Sequence, residues 1–125
     1  MKKLIIIGAS GHGKVVADIA VQNGYQEIVF LDDNEAVKSC GKYPVIGKTD
    51  EARRLDGDII VAIGNANIRK RIQEGMEGLK LATLIHPGAI VADDAVIGEG
   101  TVVMAGAVVN PGAVLGKGCI VNTCA

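Results

Sequence analysis

Residues 85–125, broken every six positions, read IHPGAI VADDAV IGEGTV VMAGAV VNPGAV LGKGCI VNTCA. An aliphatic side chain opens every block, at Ile85, Val91, Ile97, Val103, Val109, Leu115 and Val121. A small residue stands four places later, at Ala89, Ala95, Thr101, Ala107, Ala113, Cys119 and Ala125, and a second aliphatic closes each complete block from Ile90 to Ile120. Glycine holds the fourth place at Gly88, Gly100, Gly106, Gly112 and Gly118, with Asp94 and Cys124 as the two exceptions. An amphipathic helix would repeat about every 3.6 residues, and a hairpin sheet would alternate strictly between irregularly spaced turns. A six-residue beat fits neither. It predicts a parallel β-helix, one short strand and one turn per repeat, with the opening aliphatic inward and the small residue where the chain bends. Glycine then accommodates the backbone of the turn.

Three such repeats close one triangular coil, so this stretch supplies a little over two coils. The sequence stops inside a repeat, after Val121-Asn122-Thr123-Cys124-Ala125. Natural solenoids protect the edge of their last coil. The expectation is therefore an N-terminal portion of a longer, apparently truncated chain.

Upstream, over residues 1–84, the period changes. Leu4–Ile7 is a buried strand candidate that runs into the turn Gly8-Ala9-Ser10-Gly11-His12-Gly13. A helix is expected from about His12 to Asn23, with Val15, Val16, Ile19 and Ala20 on its packed face and Gly24 as its stop. Glu27–Leu31 reads as the second strand, closed by Asp32-Asp33-Asn34, and Tyr43–Ile46 as an edge strand because Pro44 cannot donate to a central ladder. Thr49 is placed to cap a short helix through Leu55. Asp58–Ile63 is a further strand, then Gly64-Asn65-Ala66-Asn67 leads into a helix over Ile68–Glu77, and Leu81–Ile85 is the last strand. Strands alternating with helices predict a parallel sheet. The fold expected is a Rossmann-like α/β sheet over residues 1–84 followed by the first coils of a β-helix over 85–125.

Composition agrees. The 125 residues are 49% hydrophobic and only 2% aromatic, with no tryptophan, so the core must be built of aliphatic side chains, as doubly covered parallel strands require. A net charge of −1 with dispersed lysines and arginines argues against a nucleic-acid partner. Met1-Lys2-Lys3 and four apolar residues resemble the start of a signal peptide, but the run breaks at Gly8; no stretch approaches the roughly 20 residues of a membrane span. Three cysteines, Cys40, Cys119 and Cys124, match no metal spacing and suit free thiols in the cytoplasm.

In order and spacing, Gly8-Ala9-Ser10-Gly11-His12-Gly13-Lys14, Phe30-Leu31-Asp32-Asp33, Ala62-Ile63-Gly64-Asn65-Ala66-Asn67-Ile68-Arg69 and Leu84-Ile85-His86-Pro87 leading into hexapeptides resemble the PglD/NeuD-type sugar acetyltransferases of bacterial surface-glycan biosynthesis. The resemblance spans the whole chain. It implies an N-terminal nucleotide-sugar-binding domain, a left-handed β-helix, a homotrimer, and acetyl-CoA as co-substrate with no metal. It also implies a catalytic histidine a few residues after Asn122-Thr123, paired with an acid, which takes a proton from the acceptor amine or hydroxyl. That histidine lies beyond Ala125. The chain alone is expected to hold at most part of its substrates and not to turn over.

Each candidate binding residue carries a plainer alternative. The Gly8–Gly13 turn departs from the dinucleotide spacing G-x-G-x-x-G, yet a strand, a tight glycine turn and a helix N-terminus still offer N–H groups to an anion. Ser10, Gly11, His12, Gly13 and Lys14 are its candidates; the alternative is a mere connection, with His12 a helix-start histidine and Lys14 a surface lysine. Asp32 and Asp33 sit where such folds place an acid near a ribose, but Asp-Asp-Asn is also good turn chemistry. Gly64 and Asn65 lie at a strand's C-terminal end, where Asn65 or Asn67 can equally cap a helix. Asn122 is carried by the resemblance. Arg69 reads as a weaker candidate, His86 as structural, and Cys124 as a tolerated small side chain.

The leading function is acetyl-CoA-dependent N- or O-acetylation of a nucleotide-linked or sialic-acid-type sugar, with a nucleotide-sugar-binding module without catalysis as the alternative. A β-helical metalloenzyme of the γ-carbonic-anhydrase type needs three histidines, and the chain has only His12 and His86. The glycine spacing disfavours a nicotinamide oxidoreductase.

Overall fold

A computed structural model of the chain describes residues 2–125; Met1, which opens the expected first domain, lies outside them. The first half comprises β1 (Lys3–Ile7), α1 (Gly11–Gln22), β2 (Glu27–Leu31), β3 (Ser39–Cys40), β4 (Tyr43–Gly47), a 3-10 turn (Thr49–Arg54), β5 (Asp58–Val61) and α2 (Ala66–Glu74). The sheet order is β3-β4-β2-β1-β5, parallel throughout except for the short β3. Leu4, Ile6, Ile28, Phe30 and Ile60 turn one way, onto Val16, Ala17, Ile19 and Ala20 of α1. Ile5, Ile7, Val29, Leu31, Ile59 and Val61 turn the other way, onto Ala52 and Met76. Both faces are dry, which is why these strands are continuous aliphatic runs rather than alternating ones.

The second half is a parallel β-helix. Its two-residue strands are β6 (Leu84–Ile85), β7 (Ile90–Val91), β8 (Val96–Ile97), β9 (Val102–Val103), β10 (Val108–Val109), β11 (Val114–Leu115) and β12 (Ile120–Val121). They stack in three parallel sheets, β6-β9-β12, β7-β10 and β8-β11. Each residue pairs with the one three repeats away, as Leu84, Val102 and Ile120 show. The opening aliphatics and the alanines of the repeat fill the interior together, from Ile85 and Ala89 to Leu115 and Val121. Thr101, in an alanine place, is fully buried, and its hydroxyl forms a rung between coils by donating to Gly116 O (3.1 Å) and accepting from the Cys119 N–H (3.1 Å).

Several local expectations need correction. Val15 is 41% exposed; Ala17 takes its place on the packed face of α1. Tyr43–Gly47 is not outermost, because β3 pairs along it. Thr49 caps nothing; its own N–H donates to Asp33 Oδ1 (2.9 Å). Helix α2 starts at Ala66 and ends at Glu74, earlier at both ends than expected, because Asn65 Oδ1 accepts from the Ile68 N–H (3.0 Å) and fixes the start. The expected strand Leu81–Ile85 divides: Leu81 bridges Ile59 of the sheet, whereas Leu84–Ile85 is the first rung of the prism. In the turns, Gly100, Gly106, Gly112 and Gly118 are left-handed, and so is Cys124 (φ 61°), while Gly88 and Asp94 are not. Asp94 instead accepts from the Gly112 N–H one coil on (2.9 Å).

One prism face is docked on the sheet domain. Leu84, Val102 and Met104, with Ile120 against them, join the α1 core. The Asn23 amide clasps the Ile85 backbone at both ends, accepting from its N–H (3.0 Å) and donating to its carbonyl (2.8 Å), as a neighbouring strand would.

Candidate functional site

In an open parallel sheet, ligands bind outside the C-terminal strand ends where the strand order reverses. Here that point lies between β1 and β5, since β2 lies on one side of β1 and β5 on the other. The loops meeting there are Gly8–Ser10 and Ala62–Asn65. They nearly touch. A Cβ on Gly8 (φ 112°) would fall 2.6 Å from Ala62 O, so only glycine permits the approach.

The four glycines of these loops and of the first turn of α1 divide by cause. Gly8 and Gly13 are required by the fold: a Cβ on Gly13 would lie 2.3 Å from Gly8 O and 2.9 Å from Phe30 Cε1. Gly11 and Gly64 are not. Both are exposed, neither has a left-handed backbone, and an added Cβ would meet nothing within 4 Å. Two glycines with no conformational or packing reason therefore face open space at the switch point.

The helix start adds donors. Lys14 N–H makes the first α1 bond, to Ser10 O (3.0 Å), which leaves the amides of Gly11, His12 and Gly13 without a helical acceptor. Ser10 is the N-cap residue, yet its hydroxyl makes no capping bond and stays exposed. His12 is half-buried, its Nε2 without a partner. Burial, and then the charge of Arg69, hold its imidazole below the usual histidine pKa, so the ring is neutral at pH 7. Lys14 is exposed at the same turn and lies close enough to Cys40 to oppose the burial that pushes that thiol up.

The acids after β2 brace this architecture. Asp32 accepts from the Ala9 N–H (2.9 Å) and the Asn34 N–H (2.8 Å), so it locks the glycine turn to its own loop. Asp33 holds Thr49 as described. Each carboxylate retains lone pairs toward solvent, but the turn chemistry that was the plainer alternative is realised. Asn65 likewise caps α2 through Oδ1 while its amide group stays free to donate. Asn122 sits apart from these loops in sequence, exposed on the turn after β12.

Sequence reasoning underrated Arg69 and missed Gln73. Arg69 Nη1 donates to Ile63 O (2.8 Å) and Gly64 O (3.1 Å), and Nε donates to Gly118 O of the prism (2.8 Å). Gln73, one helical turn on, is 9% exposed and donates to Glu99 O (3.3 Å). The one available signal was their spacing of four on an otherwise polar helix, which puts both on one face. A groove of about 750 Å³ runs along that face, lined among others by Gln73, Met76, Leu81 and Lys117. None of Ser10–Lys14, Asp32 or Asp33 lines it, so the groove and the glycine turn are separate places on the fold. Among the described residues no three His, Cys, Asp or Glu side chains group as metal ligands would, and no helix is long and apolar enough to cross a membrane.

Residues 3–76 match the family model of the PglD N-terminal domain, and residues 94–125 match that of the bacterial transferase hexapeptide (six repeats). The chain belongs to the PglD N-terminal domain family. Among curated proteins, the UDP-N-acetylbacillosamine N-acetyltransferase of Bacillus subtilis (strain 168) is 41% identical over an alignment of 106 residues that covers 78% of this chain and 49% of the relative. Among solved structures, the acetyltransferase domain of PglB from Neisseria gonorrhoeae FA1090, in complex with acetyl coenzyme A, superposes with a TM-score of 0.93 at 51% identity. That match covers 98% of this chain and 62% of the other. A mutant of perosamine N-acetyltransferase from Caulobacter crescentus, in complex with CoA and GDP-perosamine, superposes with a TM-score of 0.90 at 28% identity, covering 99% of this chain and 61% of that one. This chain thus spans about half the length of its curated relative and about three fifths of these solved ones. The expected resemblance and the fold class, a Rossmann-like sheet running into a hexapeptide β-helix, are both met.

Proposed function

We propose that this chain holds the nucleotide-sugar end of an acetyl-CoA-dependent acetyltransferase, with a nucleotide-linked amino sugar as acceptor. The observation that carries the reading is the pair of glycines, Gly11 and Gly64, that the fold itself does not require. They leave room for a ligand against the free amides of the α1 N-terminus, a natural seat for a diphosphate. Ser10 Oγ, the neutral His12 ring, Lys14 and the Asn65 amide surround that seat, and Asp32 and Asp33 keep acceptors for ribose or base. One relative named above is a UDP-N-acetylbacillosamine N-acetyltransferase and another is held in complex with GDP-perosamine, and both support the same class here. Of the two nucleotides, UDP is favoured by the more similar curated relative.

The chemistry is direct acyl transfer: the acceptor nitrogen attacks the thioester carbonyl, the C–S bond breaks, and a general base takes the proton from nitrogen. Neither histidine of this chain is placed for that role. His86 uses Nδ1 to accept from the Gly88 N–H (2.8 Å) and lies beside Gln22 at the far end of α1. His12 stands at its start, about 15 Å away along a helix rising about 1.5 Å per residue. The base is assigned to the longer protein, after the Asn122-Thr123 turn, and the chain alone is read as binding without turnover. A left-handed prism, a homotrimer and a cytoplasmic setting complete the proposal. Self-association is favoured by the outward aliphatics Ile90, Val96, Val108 and Val114, which are 68%, 57%, 48% and 74% exposed on the two undocked faces.

Calorimetric titration of UDP-linked and CMP-linked amino sugars into the 125-residue chain tests the reading. Saturable binding of the UDP compound, at one site per chain and weaker for CMP, is expected. No heat from either sugar refutes it.

A further inference from the structure

Arg69 stands where the ligand edge of the sheet meets the prism. Its guanidinium carries the carbonyls of Ile63 and Gly64, the loop that follows β5, and the carbonyl of Gly118, a turn in the second coil. Three acceptors from two halves of the chain share one planar cation. A rigid fork of donors fixes angle as well as distance, which a single ammonium point charge does not. The docking of Leu84 and Val102 and the Asn23 clasp already hold the first and second coils, so cohesion of the two halves does not rest on this side chain alone. What Arg69 adds is a direct tie between the ligand loop itself and the prism.

We propose that Arg69 is a positioning residue, which locks the Gly64–Asn65 loop to the Gly118 turn so that a sugar held by the first meets the prism in one orientation. The purpose rests on the nucleotide-sugar reading above; the tie itself does not. A small misplacement between a bound acceptor and the reacting group weakens transfer steeply, so a fixed hinge at this point has chemical value. Gln73, one turn further along α2, reaches the first coil at Glu99 and gives the lock a second point.

The test compares Arg69→Lys, which keeps the charge, with Arg69→Gln, which removes it. Without ligand, amide exchange is followed at Gly118 and Cys119, whose N–H groups bond to Glu99 O and Thr101 Oγ1, and at Ile68, bonded to Asn65 Oδ1. Both variants should speed exchange on the two sides together, by roughly tenfold or more, with β1 amides unchanged. Loosening of one side only, or of neither, overturns the tie. Should neither variant fold, the wild type decides by exchange at low urea: a shared denaturant dependence upholds the tie, and independent openings refute it. The His12 ring gives a signature that mere structural support would not move. Its titration should shift upward in Arg69→Gln and stay in place in Arg69→Lys, and an unmoved midpoint in both overturns the placement of Arg69 beside it. With saturating UDP-linked amino sugar, thiol labelling of half-buried Cys119 should slow severalfold relative to exposed Cys124 in wild type, and not in Arg69→Lys. Slowing that persists in Arg69→Lys counts against the lock. Absence of binding to wild type sinks the nucleotide-sugar reading and the purpose given to Arg69, while the exchange result still decides the tie.

Discussion

Replacing Gly11 with alanine separates ligand space from structural necessity. The built Cβ meets nothing within 4 Å, and the backbone there is not left-handed. Alanine in the first turn of a helix restricts the unfolded chain, which stabilises a protein by about 0.4–1 kcal/mol when the native conformation suits it. Gly11→Ala should therefore leave stability unchanged or raise it within that range, a few degrees in Tm at most. A diphosphate seated on the Gly11–Gly13 amides would meet the new methyl directly. Losing even one charge-assisted bond, worth about 1.5–3 kcal/mol, weakens binding by roughly ten- to a hundredfold. Gly13→Ala is the control, because there the methyl would lie 2.3 Å from Gly8 O, backbone that cannot step aside. Overpacking of about 1–3 kcal/mol then offsets or exceeds the roughly 1 kcal/mol of helix propensity, and stability falls. Calorimetry with the UDP-linked sugar and thermal unfolding of both variants read the two effects apart. Wild-type affinity in Gly11→Ala, or a stability loss matching Gly13→Ala, would refute the reasoning.

Three further outcomes follow from the same contacts. Asn23→Ala removes both bonds to the Ile85 backbone and should lower stability by about 2–3 kcal/mol in urea unfolding, while a change under about 0.5 kcal/mol would show the clasp to be incidental. Gly100→Ala should destabilise more than Gly112→Ala: both are left-handed, at φ 78° and 77°, but only at Gly100 would the methyl fall 2.4 Å from Gln73 Oε1. The shared strain is about 1–2 kcal/mol and the excess, from displacing Gln73, about 1 kcal/mol; a Gln73→Ala background should erase the excess. With its pKa lowered in the folded state, His12 is protonated more readily when unfolded, so its contribution is complete above about pH 6.5 and is lost as pH falls from there through the folded value. Unfolding midpoints between pH 8 and 5 should therefore drop less in His12→Gln than in wild type, and parallel profiles would count against the shift.

The prism was legible because its period depends on nothing outside itself. Each hexapeptide states its own inward aliphatic and small corner residue, so Ile85 through Val121 could be placed without knowing any partner. Glycine at the turns was nearly as clear, but Cys124 in a left-handed turn and Asp94 bonding to Gly112 N–H depend on the adjacent coil. The sheet strands were legible from their aliphatic runs, whereas their ends were not. Leu81 and Leu84 look alike in sequence, and only the path of the linker assigns one to β5 and the other to the prism. At the site, the glycines and acids could be named but not sorted. That Gly8 and Gly13 serve packing while Gly11 and Gly64 leave space is a matter of which atoms lie opposite, and those come from the loop after β5, from Gly8 itself and from Phe30 of β2. Arg69 was the deepest miss, because its partner carbonyl at Gly118 lies 49 residues away.

The relation between the halves follows from a few contacts read along the two helices. Gln22 and Asn23, at the C-terminal end of α1, touch His86 and Ile85 in the first coil. Gln73, late in α2, reaches Glu99 in that same coil, whereas Arg69, one turn nearer the helix start, reaches Gly118 in the second. Both helices begin at the C-terminal edge of the sheet, where Gly11 and Gly64 leave their space. Successive coils, stacked about 4.8 Å apart, therefore climb toward that edge. The sheet domain is thus fixed with its glycine turn pointing along the direction of prism growth, and the docked face of Leu84, Val102 and Ile120 acts as the rail. The docked face runs through Leu84, Val102 and Ile120, so Arg69, bonded to Gly118 just before the last of them, ties the Ile63–Gly64 loop to the later coils rather than to the first.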